Sequence, residues 1–226
     1  MCGRYTITVT LDELIVRFNL NIPPTRYYQP RFNISPQQMI MIVINDGDNN
    51  RLGEVKWGLL PSWSKDEKAG FTAFNARAET LLEKPAFKAP FIRKRCLIPA
   101  DSFYEWKKEG KSKQPMRIML KTHEIFTMAG LYDTWTGADG RKISSCTIIT
   151  TKPNSLVESI HDRMPVILHP KDEALWLDRN VQDPNLLLPL LKPFPAEKMR
   201  AYAVSSKVGN AKYDVPECIV ELNIEN

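Results

Sequence analysis

The sequence predicts an α+β fold: one domain with a largely antiparallel, barrel-like β-sheet flanked by short helices. Three observations lead there. Apolar runs of strand length outnumber helical stretches, those runs are separated by Gly, Asn and Asp turn signals, and there is no regular alternation of strand and helix that would wind a parallel sheet.

In chain order, Thr10-Leu11-Asp12-Glu13 fits a capping box, and Leu11, Leu14, Ile15 and Phe18 then make one apolar stripe, so a short helix begins here. Pro23 and Pro24 end it, and the stretch through Pro30 and Asn33-Ile34-Ser35-Pro36 reads as extended loop. Met39 to Ile44 and Leu52 to Leu60 read as strands around the turn residues 45–50, which makes a hairpin. Pro61-Ser62-Trp63-Ser64, the charges after it and Gly70 form a surface loop. Asn75 to Leu82 reads as a helix limited by Pro85, with Asn75 at its start. From Arg95 on, strands dominate: Cys96 to Ile98, Phe103 to Lys107, Met116 to Lys121, Ile125 to Trp135 and Ser144 to Thr151. A helical turn at Ser155 to Ile160, a strand at Arg163 to Leu168, helices at Lys171 to Leu177 and Pro184 to Leu191, and a strand at Ala201 to Ser205 complete the chain before the Gly209-Asn210 turn and a polar tail.

At 226 residues, 43% apolar and 25% charged, the chain can bury a core without staples. No run of eighteen apolar residues and no basic-then-apolar leader is present, so the expected location is cytoplasmic, with no membrane partner. The four cysteines, Cys2, Cys96, Cys146 and Cys218, lack paired metal-ligand spacing, so no metal and no cofactor is expected and the thiols are expected to be free. Cys96 and Cys146 sit in apolar runs as small core residues. The net charge of +5 leans mildly toward an anionic partner, an excess that solubility alone also explains.

The opening Met1-Cys2-Gly3-Arg4 carries the most distinctive chemistry. Once Met1 is removed, Cys2 presents an α-amine and a thiol on adjacent carbons. Such a pair condenses with an aldehyde to an imine that the sulfur closes into a thiazolidine; the two groups titrate near ~8 and ~8.5. Read alone, Cys2 is a small residue behind a start codon, and the rest of the chain has to decide.

Three further stretches set polar or proton-active residues beside strand-forming ones: 74–80, 99–106 and 160–165. Each has an ordinary explanation. Asn75 serves as a helix cap, Glu105 as the outward residue of an alternating strand, and His161 beside Asp162 as an oriented imidazole or a capping residue. His123 and His169 adjoin turn signals and are expected at the surface.

Together, Met-Cys-Gly-Arg at the start, Asn75-Ala-Arg77-Ala-Glu79-Thr80, the run from Arg95 through Asp101, Glu105 and Trp106, His161-Asp-Arg163-Met-Pro165 and Val208-Gly-Asn210 resemble the SOS response-associated peptidase (SRAP) family of abasic-site-processing proteins. The blocks stand in the family's order and span almost the whole chain. The resemblance implies an SRAP-like fold and a DNA-damage function: binding of single-stranded DNA at an abasic site and capture of the ring-opened aldehyde on the N-terminal cysteine. It implies Cys2 as nucleophile through sulfur and amine, Asn75 as the hydrogen-bonding partner of the sugar, Glu105 as the acid beside the crosslink and His161 as promoter of ring opening. For DNA contacts it points to Arg4, Asn33, Pro36, Trp63, Arg77, Trp106 and Arg163, with Ser64 where some relatives carry a second aromatic. A monomer is expected, cytoplasmic and nucleoid-associated when bound. Two other activities stay open. One is a thiol peptidase or autopeptidase acting at the Met1-Cys2 bond, in keeping with the family's name; the other is a non-covalent single-strand or RNA-binding module.

Overall fold

The computed structural model describes residues 2–20, 28–67 and 71–222. Met1 and its removal, the Pro23-Pro24 break, Gly70 of the Trp63 loop and the last residues of the tail lie outside the described residues.

Five strands close a barrel: β3 (Met39–Asn45), β4 (Asn50–Trp57), β6 (Arg95–Ala100), β9 (Phe126–Thr136) and β10 (Lys142–Thr151). β3 pairs β4 and β6, β6 pairs β9, and β9 pairs β10, all antiparallel. The ring shuts where β10 meets β4 in parallel, Cys146 opposite Trp57. Closure leaves these strands no open edge. The barrel interior holds Ile40, Trp57, Cys96, Ile98 and Ile148, each at most 3% exposed. Trp57 donates its indole N–H to the Phe74 carbonyl at 2.8 Å and takes Tyr5 edge-on at 5.4 Å, so its polar atom is satisfied inside the core.

Three short strands hang on this ring. β5 (Asn75–Arg77) runs parallel to β10, β11 (Met164–Pro165) pairs with the end of β10, and β12 (Ile167–Leu168) pairs β9.

A second sheet of five strands has the order β13-β8-β7-β1-β2, formed by β13 (Met199–Ala203), β8 (Ser112–Leu120), β7 (Ser102–Glu109), β1 (Tyr5–Ile7) and β2 (Arg31–Ile34). Its pairings are antiparallel. The chain passes from barrel strand β6 to β7 through Asp101, whose carboxylate accepts from the Thr8 backbone N–H at 2.6 Å, from the Thr6 hydroxyl, and faces Arg117 at 3.6 Å. That corner ties β1 to the barrel.

Helix α1 (Leu11–Phe18) has the capping box read from sequence: Thr10 accepts from the Glu13 N–H and Glu13 reaches back to the Thr10 N–H. A cap of this kind contributes about 1 kcal/mol. Its Leu14 and Phe18 are buried. Helices α2 (Pro85–Arg93), α3 (Pro170–Leu177) and α4 (Pro184–Leu187) complete the set. The C-terminal ends of α2 and α3 converge on buried Arg95, which donates to the carbonyls of Phe91, Ile92, Trp176, Asp178 and Val181.

Several elements differ from the sequence reading. Residues 31–34 are a strand, because pairing with β1 supplies the ladder that their composition does not advertise. Asn75 opens a strand and caps no helix: its segment lies along Ile148 to Thr150 of β10, and pairing there outweighs local helix propensity. Pro85 begins a helix where it was expected to end one; it occupies the first helical position, where a missing N–H costs nothing. His123 is exposed as expected, whereas His169 is half-buried against the Phe194 ring at 4.8 Å. Glu105 is not an outward residue, being 2% exposed.

Candidate functional site

The site is assembled where the inner strands β1 and β7 of the second sheet meet the end of the barrel. In β1 and β7, Tyr5 lies opposite Phe103 and Thr6 opposite Ser102, and the Arg4 carbonyl accepts from the Tyr104 N–H at 2.9 Å. Continuing this register sets Gly3 opposite Glu105, which brings the amino end of the chain to the carboxylate. Cys2 is fully buried. Burial pushes its thiol up, and the Glu105 charge raises it further.

His161 follows a helical turn held by Asn154, whose side-chain oxygen accepts from the N–H groups of Leu156 and Val157. Its Nδ1 accepts from the Arg163 backbone N–H at 3.0 Å. While Nδ1 accepts there, the neutral ring carries its proton on Nε2; when Nδ1–H instead donates to Asp162, Nε2 is bare, and in both tautomers Nε2 faces Glu105 Oε2 at 3.8 Å. When the ring gains a second proton, the Asp162 carboxylate, 2.9 Å from Nδ1, stands ready to accept it.

The two partners are tuned in opposite directions. Burial raises the Glu105 carboxyl to about 7, aided by the negative charge of Asp162. Burial lowers His161 below its ordinary 6.5. A protonated acid and a neutral base thus coexist near neutral pH, the separation expected of an acid–base pair.

β10 gathers the remaining residues. Asn75 sits beside Ile148, and Arg77 beside Thr150, whose other flank carries Pro165. Asn75 donates to the Phe74 carbonyl at 2.9 Å, while its Oδ1, buried, has no partner among the described residues. An orphaned buried acceptor is costly, and a bound hydroxyl would satisfy it. Arg163 forms a two-pronged bond to Glu79 at 2.8 and 2.9 Å and donates to the Thr150 carbonyl, locking the His161 segment to the Asn75 segment. Glu79 was legible only as a motif residue; its role as clamp for Arg163 was not.

The other expected contacts divide. Arg4 lies over the Trp106 ring at 5.7 Å and donates to Asn33 Oδ1 and the Val208 carbonyl. Asn33 is buried, its amide nitrogen donating to the carbonyls of Val208, Asn210 and Tyr213, so it supports Arg4 from behind and offers no surface of its own. Pro36 is half-buried, Arg77 exposed, and Trp63 stands 65% exposed on its loop. The five sequence blocks thus gather into two bonded sets, Arg4 with Tyr104 and Val208 and Glu79 with Arg163, which approach each other where His161 faces Glu105. A cavity of about 620 Å³ lined by Arg17, Phe18, Asn50, Glu173 and Asp178 contains none of these residues. Among the described residues no group of three or more His, Cys, Asp or Glu is arranged to hold a metal, and no helix is long and apolar enough to cross a membrane.

An α+β barrel carrying a buried cysteine at its amino end beside a carboxylate–imidazole pair defines the class. The chain belongs to the SOS response associated peptidase (SRAP) family, whose model matches residues 1–211. It is 52% identical over 97% of its length to the Bacillus subtilis abasic site processing protein YoqW, of which it covers 99%. It is 34% identical to the abasic site processing protein HMCES of Gallus gallus, covering 68% of that longer protein with 87% of its own length. In structure it matches a crystal structure of a Bacteroides thetaiotaomicron protein with a TM-score of 0.86, at 30% identity, over 98% of this chain and all of the other.

Proposed function

We propose that this protein processes abasic sites in DNA, binding the single strand at the lesion and capturing its aldehyde as a thiazolidine on Cys2 after Met1 is removed. The observation that carries the reading is the facing pair Glu105 and His161, oppositely tuned, beside the buried Cys2. The names of its relatives agree with it.

An abasic deoxyribose is mostly a closed hemiacetal. Opening it needs a proton taken from the anomeric hydroxyl and one given to the ring oxygen. Neutral His161, in the tautomer whose Nδ1–H donates to Asp162 and leaves Nε2 bare, takes the first, with Asp162 stabilising the imidazolium, and protonated Glu105 gives the second. The Cys2 amine adds to the freed aldehyde and returns a proton to Glu105, the carbinolamine hydroxyl leaves as water with a proton from that acid, and the sulfur closes on the imine carbon while its proton passes to nitrogen. The balance is aldehyde plus aminothiol to thiazolidine plus one water. A thiol held protonated by burial favours this amine-first order. Asn75 Oδ1 accepts from a sugar hydroxyl. Arg4, Arg77 and Arg163 face phosphates, and Trp63, Trp106 and Pro36 offer stacking surfaces worth ~1 to 3 kcal/mol per base for the aromatics.

Thiol proteolysis would need a depressed cysteine pKa, and here burial and Glu105 act the other way. The test is intact mass after mixing with single-stranded DNA bearing one abasic site. A covalent adduct heavier by the DNA minus one water is expected. It should vanish with Cys2→Ser or with an acetylated α-amine and persist with Cys218→Ser, whose hydroxyl can keep the bond to the Tyr213 carbonyl. An adduct that survives Cys2→Ser overturns the proposal, and binding without any adduct leaves the non-covalent module in its place.

A further inference from the structure

The β7–β8 hairpin continues outward from Glu105 and Trp106 as Lys107-Lys108-Glu109-Gly110-Lys111-Ser112-Lys113. Lys108, Lys111 and Lys113 are exposed, and Gly110 turns the tip at φ 61°. In the ladder, Tyr104 faces Arg117, Trp106 faces Pro115 and Lys108 faces Lys113. These residues share one side of the hairpin, because side chains alternate along a strand. That side is also where Arg4 covers Trp106.

Two like charges directly opposite on neighbouring strands weaken a hairpin. Glu109 does not relieve them: it belongs to the opposite side, where it stands 3.8 Å from Lys107. Nothing in the fold requires the Lys108–Lys113 juxtaposition, and a polyanion lying along that side would turn it from a cost into an attraction. The patch adjoins the site along β7, where Trp106 follows Glu105, whose own side chain alternates to the other side, and Lys108 is near enough for its charge to act on His161.

We infer that the lysine-rich β7–β8 hairpin is a phosphate-binding arm that grips the DNA backbone on one side of the captured nucleotide, through Lys108, Lys111 and Lys113. This rests on the reading of the site as a DNA lesion trap, and it adds three contacts and a direction: the backbone leaves the site past Trp106 along the hairpin. The stacking ring and the phosphate-seeking charges lie in sequence along one strand, the pattern of a single-strand track.

The test uses Lys111→Gln/Lys113→Gln and, separately, Lys113→Glu, with affinity for single-stranded DNA carrying a non-reactive tetrahydrofuran abasic analogue measured across salt. Each phosphate contact on a single strand contributes roughly 0.7 to the slope of log K against log salt, so the double variant should lose about 1.4 of slope and, at 0.1 M salt, bind about 25-fold more weakly. Lys113→Glu should bind more weakly still yet unfold at a higher temperature, because it places an acid opposite Lys108; a merely structural role would move affinity and stability together. Adduct yield at saturating abasic DNA should stay at the unaltered protein's level in both variants. An unchanged salt slope overturns the arm while leaving the trap intact. Absence of an adduct in the unaltered protein overturns the trap and the arm with it.

Discussion

The Nε2 of His161 stands 3.8 Å from Oε2 of Glu105, bringing a turn after the barrel's last strand against a strand of the second sheet. The distance exceeds a hydrogen bond. A sugar hydroxyl within hydrogen-bond reach of both atoms is the partner that the proposed proton exchange requires.

The pH profile of adduct formation follows from this pair. On the acid side protonation of His161, which burial holds below the ordinary imidazole range, slows the reaction, and above about 7 Glu105 loses the proton it donates. The α-amine, titrating near ~8, pulls the rate upward with pH across the same range. The rate of the unaltered protein should therefore stop climbing near pH 7, while Glu105→Gln, slower overall, keeps climbing toward pH 8. Single-turnover rates by intact mass check this; a plateau at the same pH in both would remove Glu105 as the acid.

Glu105 also makes stability depend on pH. Its folded carboxyl titrates near 7 against an ordinary 4.5, so the folded state holds the proton more tightly and stability falls as pH rises from about 4.5 to 7. Glu105→Gln removes this loss and should stabilise the protein at pH 8 by on the order of 1 to 3 kcal/mol, with little effect at pH 4. Thermal unfolding at the two pH values measures it.

His161→Ala should slow capture of the closed sugar by about 10²- to 10⁴-fold, the usual contribution of a positioned base. Reaction with a simple aldehyde that has no ring to open should slow far less. Equal losses on both substrates would mean that His161 acts elsewhere than in ring opening.

Asn75→Ala removes the unpartnered Oδ1. Affinity for a single strand carrying the tetrahydrofuran analogue should change little if the anomeric hydroxyl is the partner, whereas capture of a true abasic site at limiting DNA should fall about tenfold, the worth of one hydrogen bond of about 1.4 kcal/mol. Thermal stability should hold within about 1 kcal/mol, since the bond lost, from Nδ2 to the Phe74 carbonyl, leaves an acceptor that Trp57 and the Ile148 N–H still fill.

The fold was legible wherever the signal is local. The capping box of Thr10 and Glu13, the β3–β4 hairpin and strands β6 to β10 all declare themselves by periodicity and turn residues. What escaped depends on distant partners. Asn75 to Arg77 is a strand because β10 lies beside it, and 31–34 because β1 does; neither neighbour is visible in the segment itself. The parallel seam between β4 and β10 that closes the barrel has no local signature at all. In the site, residue types were readable from the motif blocks, but the burial of Glu105, the support of Arg4 by Asn33 and the Arg163–Glu79 clamp come from packing across the chain.

Strand β1 runs between β7 and β2, hydrogen-bonded on both flanks, only two residues beyond Cys2. A strand of DNA joined to that cysteine is consequently moored to an inner plank of the sheet and not to a loose thread. Any tug transmitted along the nucleic acid, from a motor or a passing polymerase, loads both ladders together, and the mooring slips only when that sheet is torn open.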